Sequence, residues 1–207
     1  MPDFSIEQKF NIPVIGLDEV GRGPLAGPVI SCGCIFNNYK KNIEYPKFIV
    51  DSKKLSPKKR ENSFKFLQSL KKNKIIDFHL GIASVYEIDS LNILEATKLS
   101  MKRVIDKFEL RNFSIIIDGN FSLKYNNVIE KSVIKGDQVS LSIAAASIIA
   151  KVHRDRLMSI LSSKYKDFGW EKNAGYGTKM HIENINRLGP TIHHRKTFEP
   201  IKSLIHN

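Results

Sequence analysis

Three short apolar segments of this chain each run into acidic residues that have glycine close by. The acids are Asp18-Glu19, Asp118 and Asp137. In open α/β sheets the carboxyl ends of the strands line a common crevice. Carboxylates beside apolar strands are costly to desolvate unless a positive charge compensates them. The pattern therefore predicts an acidic site at one sheet edge that binds a divalent cation, and hard oxygen ligands favour Mg²⁺ or Mn²⁺ over zinc.

Each acidic position also has a purely structural explanation. Asp118 before Gly119 is typical of a turn, and Asp137 could cap the helix that follows it. Asp18-Glu19 could be a solvated strand end. The shared pattern favours a functional site, but spacing along the chain does not establish that the three positions meet in space.

The periodicity of apolar residues predicts strands first, then alternating helices and strands, then helices. The predicted strands span residues 13–17, 29–36, 75–83, 113–117 and 128–134. Helices are predicted to start at Ser56-Pro57, at Asp89-Ser90 and at Ser140, where the side chains can cap free amides. The second should carry a stripe of Leu91, Leu94, Met101, Ile105 and Phe108, and the third should continue to about Tyr165. This order predicts an α/β layered domain with a mixed sheet.

The composition is that of a soluble protein with one domain or two small ones. At 207 residues and 42% hydrophobic content, the chain is long enough for a single well-cored domain. No apolar run reaches the roughly 18–20 residues that a transmembrane helix needs, and the N-terminus lacks the profile of a signal peptide. We therefore expect a cytoplasmic protein.

The net charge of +12 favours a polyanionic partner, either nucleic acid or an anionic membrane surface. A lysine-rich solubilising surface explains the charge equally well. Gly21-Arg22-Gly23 could approach a phosphate or sugar closely, although such a turn is often a simple hairpin. Tyr176 could stack on a nucleotide, whereas Trp170 is better explained as a core residue.

Other chemistry receives little support. Cys32 and Cys34 lie two apart on one predicted strand, and we interpret them as small core residues. The chain has neither the H-E-x-x-H pattern of zinc proteases nor the G-x-S-x-G pattern of serine hydrolases. His193-His194-Arg195 could supply a general acid, a phosphate contact or no function at all.

Several segments together resemble the motifs of the bacterial ribonuclease HII family, the type 2 ribonucleases H. They occur in family order at residues 16–28, 51–56, 118–119, 135–137, 142–155, 175–178 and 194–198. The resemblance extends from about residue 13 to residue 200, nearly the whole chain. The departures are Val20 where alanine is commoner, Thr197 where serine is, and a second histidine, His193, before His194. None of them affects the four acids.

The resemblance implies a ribonuclease H-like fold, with a mixed five-stranded sheet flanked by helices and a helical C-terminal part. It implies a single catalytic domain over residues 1–207, in which a C-terminal extension from about residue 160 contributes to substrate binding. It also implies catalysis by two Mg²⁺ or Mn²⁺ ions. Both the catalytic and the metal-binding roles fall to Asp18, Glu19, Asp118 and Asp137.

The implied activity is that of an endonuclease. It hydrolyses the RNA strand of RNA–DNA hybrids and cuts 5′ to ribonucleotides embedded in duplex DNA, leaving 5′-phosphate and 3′-hydroxyl ends. Gly21, Arg22 and Gly23 would read the 2′-hydroxyl beside the RNA-to-DNA junction, and Tyr176 would stack on the deoxyribose there. The partner is thus duplex nucleic acid rather than a membrane, and we expect a monomer.

Two other functions compete with this one. The positive charge alone would suit a nucleic-acid-binding module without catalysis, but carboxylates in a phosphate groove weaken binding unless metal neutralises them. A DNA nuclease or transposase of the same fold would share the acids but not the Gly21-Arg22-Gly23 and Tyr176 match. The related type 3 enzymes carry an additional N-terminal domain, and the early position of the first motif favours type 2.

Overall fold

The structure, a computed structural model, describes residues 1–37, 49, 52 and 55–206. The strands of this part are β1 (Val14–Val20), β2 (Val29–Phe36), β3 (Ile76–Ala83), β4 (Ser114–Asp118) and β5 (Ile129–Val133). They form one sheet in the order β3-β2-β1-β4-β5. The β1–β2 and β2–β3 pairs are antiparallel, and the β1–β4 and β4–β5 pairs are parallel. The predicted mixed sheet is confirmed.

Helices of the described part cover both faces of this sheet, and three short ones lie in the C-terminal part. They are α1 (Pro57–Lys72), α2 (Val85–Leu91), α3 (Ile93–Ile105), α4 (Leu141–Lys164), α5 (Trp170–Asn173), α6 (Lys179–Leu188) and α7 (Ile201–His206). Helices α1 and α4 pack on one face and α3 on the other. No helix within the described ranges is both long and apolar enough to cross a membrane.

Helix α4 approaches the sheet closely, as its small residues predict. Ser140 caps it by accepting a hydrogen bond from the Ile143 amide, and the alanines at 144–146 are fully buried. On β1, a Cβ added at Gly16 would collide with the Ser142 side chain and lie 2.6 Å from the Ile143 nitrogen. The lack of a side chain at Gly16 therefore lets the start of α4 rest against the centre of β1.

The acidic pair lies within β1, whereas the sequence predicted it just beyond the end of the strand. Parallel pairing with β4 does end at Leu17 opposite Ile117. The antiparallel pairing of β1 with β2 nevertheless continues, with Asp18 opposite Cys32 and Glu19 opposite Ser31. The apolar run in the sequence ends at Leu17, but the strand continues to Val20 and Asp18 is still buried.

The single helix predicted from Asp89-Ser90 was wrong, because the chain forms two helices there. Ser84 caps α2 and Asn92 caps α3. Asn92 adopts a φ of 75°, a conformation that breaks the helix and that asparagine tolerates better than most residues. Leu91, predicted to belong to the apolar stripe, is consequently 42% exposed, while Met101 of the same stripe is fully buried.

The structure agrees with the other sequence interpretations that it tests. Ser56 caps α1, and the apolar side chains Phe64, Leu67 and Leu70 on one face of that helix are buried. Cys32 and Cys34 are free thiols in the core, and burial raises the pKa of both. Trp170 is fully buried. The predicted extension from about residue 160 stays a prediction, since α4 runs through that position without a break.

Some sequence features lie outside the described residues. These are Asn38 of a predicted turn, Phe48 and Val50 of a short apolar stretch, and positions 51, 53 and 54 of the second motif.

Candidate active site

Asp18 and Asp118 are neighbours on adjacent parallel strands. Each follows directly after the last residue pair that joins β1 to β4. Both point to the face that α4 covers: Asp18 lies opposite Cys32, which packs in the core with α4, and Asp118 lies two residues beyond Ile116, which packs on α4. The sheet register thus brings these two carboxylates to one edge.

Asp137 lies between the end of β5 and the start of α4. It belongs to a 3-10 helix, Gly136–Gln138, and is only 5% exposed. The amide of the preceding residue, Gly136, donates a hydrogen bond of 2.7 Å to Asp118 Oδ1. This bond fixes the turn that carries Asp137 beside Asp118.

The Glu19 side chain points to the opposite face of the sheet from Asp18. It pairs across the ladder with Ser31, whose hydroxyl contacts Ser100 of α3. Glu19 Oε1 lies 3.6 Å from Arg22 Nη1, and the Glu19 amide donates to Asp18 Oδ1 at 2.7 Å. Glu19 therefore connects the acidic edge to the loop that follows β1.

The electrostatics of Asp18 reflect crowding of negative charge. Burial, together with the charges of Glu19 and Asp118, raises its pKa well above the usual range. A hydrogen bond from Ser147 of α4 acts in the opposite direction. Ser147 Oγ is in turn 2.9 Å from Ser52 Oγ, and both serines are buried. Sequence reasoning gave these serines no role, although both fall in the matched motifs.

The donor chemistry of this edge suits a hard divalent cation, because carboxylate oxygens are the ligands that Mg²⁺ and Mn²⁺ prefer. A cation would also relieve the repulsion that Glu19 and Asp118 exert on Asp18. Within residues 1–37, 49, 52 and 55–206, however, no three His, Cys, Asp or Glu side chains are arranged to share one ion. Glu19 is directed at Arg22 and Asp118 at the Gly136 amide. Convergence of the four acids on shared metal ions therefore stays a prediction.

The predicted recognition loop follows β1 directly. Gly21 has a φ of +96°, and a Cβ there would collide with the Arg154 side chain. Arg195 donates hydrogen bonds to the carbonyl oxygens of Gly21 and Arg22. A Cβ on Gly23 would lie 3.5 Å from Tyr176 Cε1. The structure thus brings the predicted recognition residues together, next to the acids.

Two buried arginines support this loop from beneath. Arg154 donates to the carbonyls of Ala26 at 2.9 Å and Ala174 at 2.8 Å, and Arg195 also donates to Gly27 O. Both arginines are fully buried, and burial lowers the pKa of Arg154 to about 10 and that of Arg195 to about 9. Both guanidinium groups therefore stay charged at neutral pH.

Sequence reasoning gave neither arginine this supporting role: Arg154 was noted only within a motif, and Arg195 was considered with His193 and His194 for a general acid, a phosphate contact or no function. For Arg154 a signal exists, because it lies four residues after Ala150 and four before Met158 on one buried stripe of α4. An arginine inside such a stripe must find polar partners in the protein. For Arg195 we find no comparable local pattern.

Tyr176 is 46% exposed. Its backbone carbonyl is hydrogen-bonded to His181, which in turn contacts His194. His181 Nδ1 donates to Tyr176 O at 2.8 Å. His181 Nε2 accepts from Trp170 Nε1 at 3.0 Å and lies 3.1 Å from His194 Nε2. His194 Nδ1 accepts from the Thr191 amide at 2.8 Å. These contacts assign one proton to each imidazole, on Nδ1 of His181 and on Nε2 of His194.

Both histidines are therefore neutral structural groups. Burial lowers the pKa of His181, and burial with the neighbouring imidazoles lowers that of His194 to about 4. Of the roles left open for His193-His194, a phosphate contact does not suit His194, which is 1% exposed. His193 packs edge-on against Tyr165.

The chain is similar over most of its length to proteins of one known family. A family model described as Ribonuclease HII matches residues 15–200. A protein named Ribonuclease HII from Wolbachia sp. subsp. Brugia malayi (strain TRS) is 48% identical over 200 residues, which cover 97% of this chain and 94% of that protein. Another from Ehrlichia canis (strain Jake) is 46% identical over 213 residues, with coverages of 99% and 97%.

A solved structure supports the same assignment. The crystal structure of ribonuclease H2 from Pyrococcus horikoshii OT3 matches with a TM-score of 0.73 at 28% identity, over 94% of this chain and 98% of that one. The fold is therefore ribonuclease H-like, as the resemblance implied. The chain belongs to the ribonuclease HII family and is a metal-dependent endoribonuclease.

Proposed function

We propose that this enzyme hydrolyses the RNA strand of RNA–DNA hybrids and cuts 5′ to a ribonucleotide embedded in duplex DNA. The observation that supports the proposal is that the acidic edge and the recognition loop adjoin on the segment that runs from β1 into the loop after it. Glu19 of the acidic edge lies 3.6 Å from Arg22 of the recognition loop, and Gly23 of that loop faces Tyr176. A scissile phosphate at the acids would therefore place the adjoining sugars against the loop and the tyrosine.

Asp18, Glu19, Asp118 and Asp137 would hold two Mg²⁺ or Mn²⁺ ions. When bound, such ions supply an activated water and stabilise the leaving 3′-oxygen, which leaves 5′-phosphate and 3′-hydroxyl ends. The protein orients these ligands. The Gly136 amide positions Asp118, Ser147 positions Asp18, and Arg22 holds Glu19.

Recognition is assigned to the loop and to Tyr176. The backbone of Gly21-Arg22-Gly23 would read the 2′-hydroxyl, the group that distinguishes RNA from DNA. Tyr176 would stack on the deoxyribose on the DNA side of the junction. The net charge of +12 favours contacts to both phosphate backbones. In this proposal the C-terminal part contributes to substrate binding through Tyr176, and the enzyme acts as a cytoplasmic monomer.

The test uses a DNA duplex that contains one ribonucleotide, with an all-DNA duplex as control. We expect cleavage in Mg²⁺ or Mn²⁺, no cleavage in a chelator, and no cleavage of the control. End-group analysis should give 5′-phosphate and 3′-hydroxyl. Cleavage of the all-DNA duplex would favour a DNA nuclease, and a cyclic phosphate product would contradict hydrolysis by an external water.

A further inference from the structure

Glu7 is a buried carboxylate in a segment to which no role has been assigned. It precedes the residues that the family model matches, 15–200, and belongs to a 3-10 helix, Glu7–Lys9. Its side chain is nevertheless 1% exposed. A carboxylate removed from water requires compensating donors, and those donors show what Glu7 holds.

The donors come from the start of α4. Glu7 Oε1 accepts hydrogen bonds from Ser140 Oγ at 2.6 Å, from Ser142 Oγ at 2.6 Å and from the Ser142 amide at 3.1 Å. Ser140 is the N-cap of α4, and Ser142 lies in its first turn. Glu7 thus acts as an additional cap from a distant segment, at the helix end where a negative charge is favourable.

A second connection lies beside the first. The Asp3 amide donates to Val139 O at 3.3 Å, and the Leu141 amide donates to Asp3 O at 3.0 Å. The N-terminal segment therefore holds the residues just before α4 on both sides of Ser140.

One short turn connects the start of α4 to the acidic edge. The Ser140 amide donates to Gly136 O at 2.8 Å, and the Gly136 amide donates to Asp118 Oδ1 at 2.7 Å. Asp137 lies between the two bonded positions. A shift of the α4 N-terminus would therefore displace Asp137 and release the bond that orients Asp118.

We propose that Glu7 is a positioning residue that holds Asp137 and Asp118 in place for metal binding. The inference rests on the proposed role of both acids as metal ligands. Residues that support metal ligands typically contribute about 10- to 100-fold to metal affinity or activity. Glu7 belongs to this group although it lies outside the matched motifs.

The experiment compares Glu7→Ala and Glu7→Gln with the unchanged protein. Glutamine keeps an accepting oxygen in the position of Oε1, and within the described residues Oε2 makes no hydrogen bond that the substitution would break. Ser84→Ala is the matched control, since it removes the N-cap of α2. Mn²⁺ affinity of the full chain is measured by calorimetry without substrate, and kcat and KM are measured separately.

We expect Glu7→Ala to weaken Mn²⁺ binding by about tenfold or more and to lower kcat with little change in KM. Glu7→Gln should retain most of both properties. Ser84→Ala should lower the melting temperature but leave Mn²⁺ affinity unchanged.

The results for these variants distinguish a failure of this inference from a failure of the proposed function. Normal Mn²⁺ affinity in Glu7→Ala, with weakened affinity in Asp137→Asn, would overturn the role of Glu7 and leave the ligand assignment intact. Normal affinity in Asp137→Asn would contradict the ligand assignment and the inference together. A loss in Glu7→Gln as large as in Glu7→Ala would show that the hydrogen bonds to Ser140 and Ser142 do not hold the two acids in place, and would also overturn the inference.

Discussion

The acidic edge and the recognition loop are adjacent, but different forces hold them in place. Asp18 and Asp118 are placed by the register of neighbouring strands, a feature of the backbone. The loop after β1 and Tyr176 are placed by buried side chains from the C-terminal part, above all Arg195 and His181. The comparison suggests that changes at the acidic edge reduce turnover, whereas changes around the loop alter which substrate is cut.

The largest effect should come from the acidic edge. We predict that Asp137→Asn lowers kcat by more than about a hundredfold, beyond the loss expected for a residue that only supports a ligand. Duplex binding should change little, because affinity comes mainly from Lys and Arg contacts to phosphates. Single-turnover kinetics and a binding titration at one salt concentration measure the two quantities.

Asp167→Asn is the matched control, because Asp167 is an exposed carboxylate whose ion pair with Arg187 is long, at 3.8 Å. It should leave both quantities unchanged. A parallel collapse of binding and turnover in Asp137→Asn would make Asp137 a structural residue and remove the contrast between the two regions.

A smaller, selective effect is expected from Tyr176→Ala. A duplex with one ribonucleotide offers a single RNA-to-DNA step, whereas a uniform hybrid offers many cleavage registers that do not depend on it. Stacking is worth roughly 1–3 kcal/mol, so kcat/KM on the single-ribonucleotide duplex should fall about ten- to a hundredfold more than on the hybrid.

Tyr176→Phe should preserve the selectivity, because the ring remains. Tyr86→Ala is the matched control, since Tyr86 is an 80% exposed tyrosine on α2. Equal losses on both substrates in Tyr176→Ala would mean that Tyr176 supports the fold or general duplex binding.

The smallest effect concerns pH and the support of Tyr176. The pKa of His194 falls from 6.5 to about 4 on folding, so the unfolded chain takes up a proton first as the pH drops. The stability that neutral His194 contributes is therefore complete above pH 6.5 and is lost as the pH falls towards about 4.

Over that range we expect the melting temperature of the unchanged protein to fall by about 5–10 °C more than that of His194→Gln. Melting curves at a series of pH values measure the difference. Parallel curves for the two proteins would show that His194 already titrates normally in the folded chain, contrary to the hydrogen-bond network with His181.

Local sequence patterns predicted most of the fold because strands and helices begin and end for local reasons. Ser56 and Ser140 each cap a helix as predicted. The helix predicted to start at Asp89 was wrong because Ser84 and Asn92 cap two separate helices there. Asp89 lies inside the first of them, and its carboxylate accepts from the backbone amides of Lys196 and Thr197, more than 100 residues away. A contact between residues so far apart in the sequence leaves no periodic pattern around Asp89.

The sequence by itself determined the mixed α/β architecture, the core and the order of the motifs, because apolar periodicity and capping residues act over a few positions. It also indicated the four acids. Only the tertiary structure decided how they are supported. Arg195 reaches Gly21 across 174 positions, and Glu7 reaches Ser140 across 133. Such contacts join chain segments that are far apart in the sequence and adjacent only in the folded structure, so no local pattern can specify them.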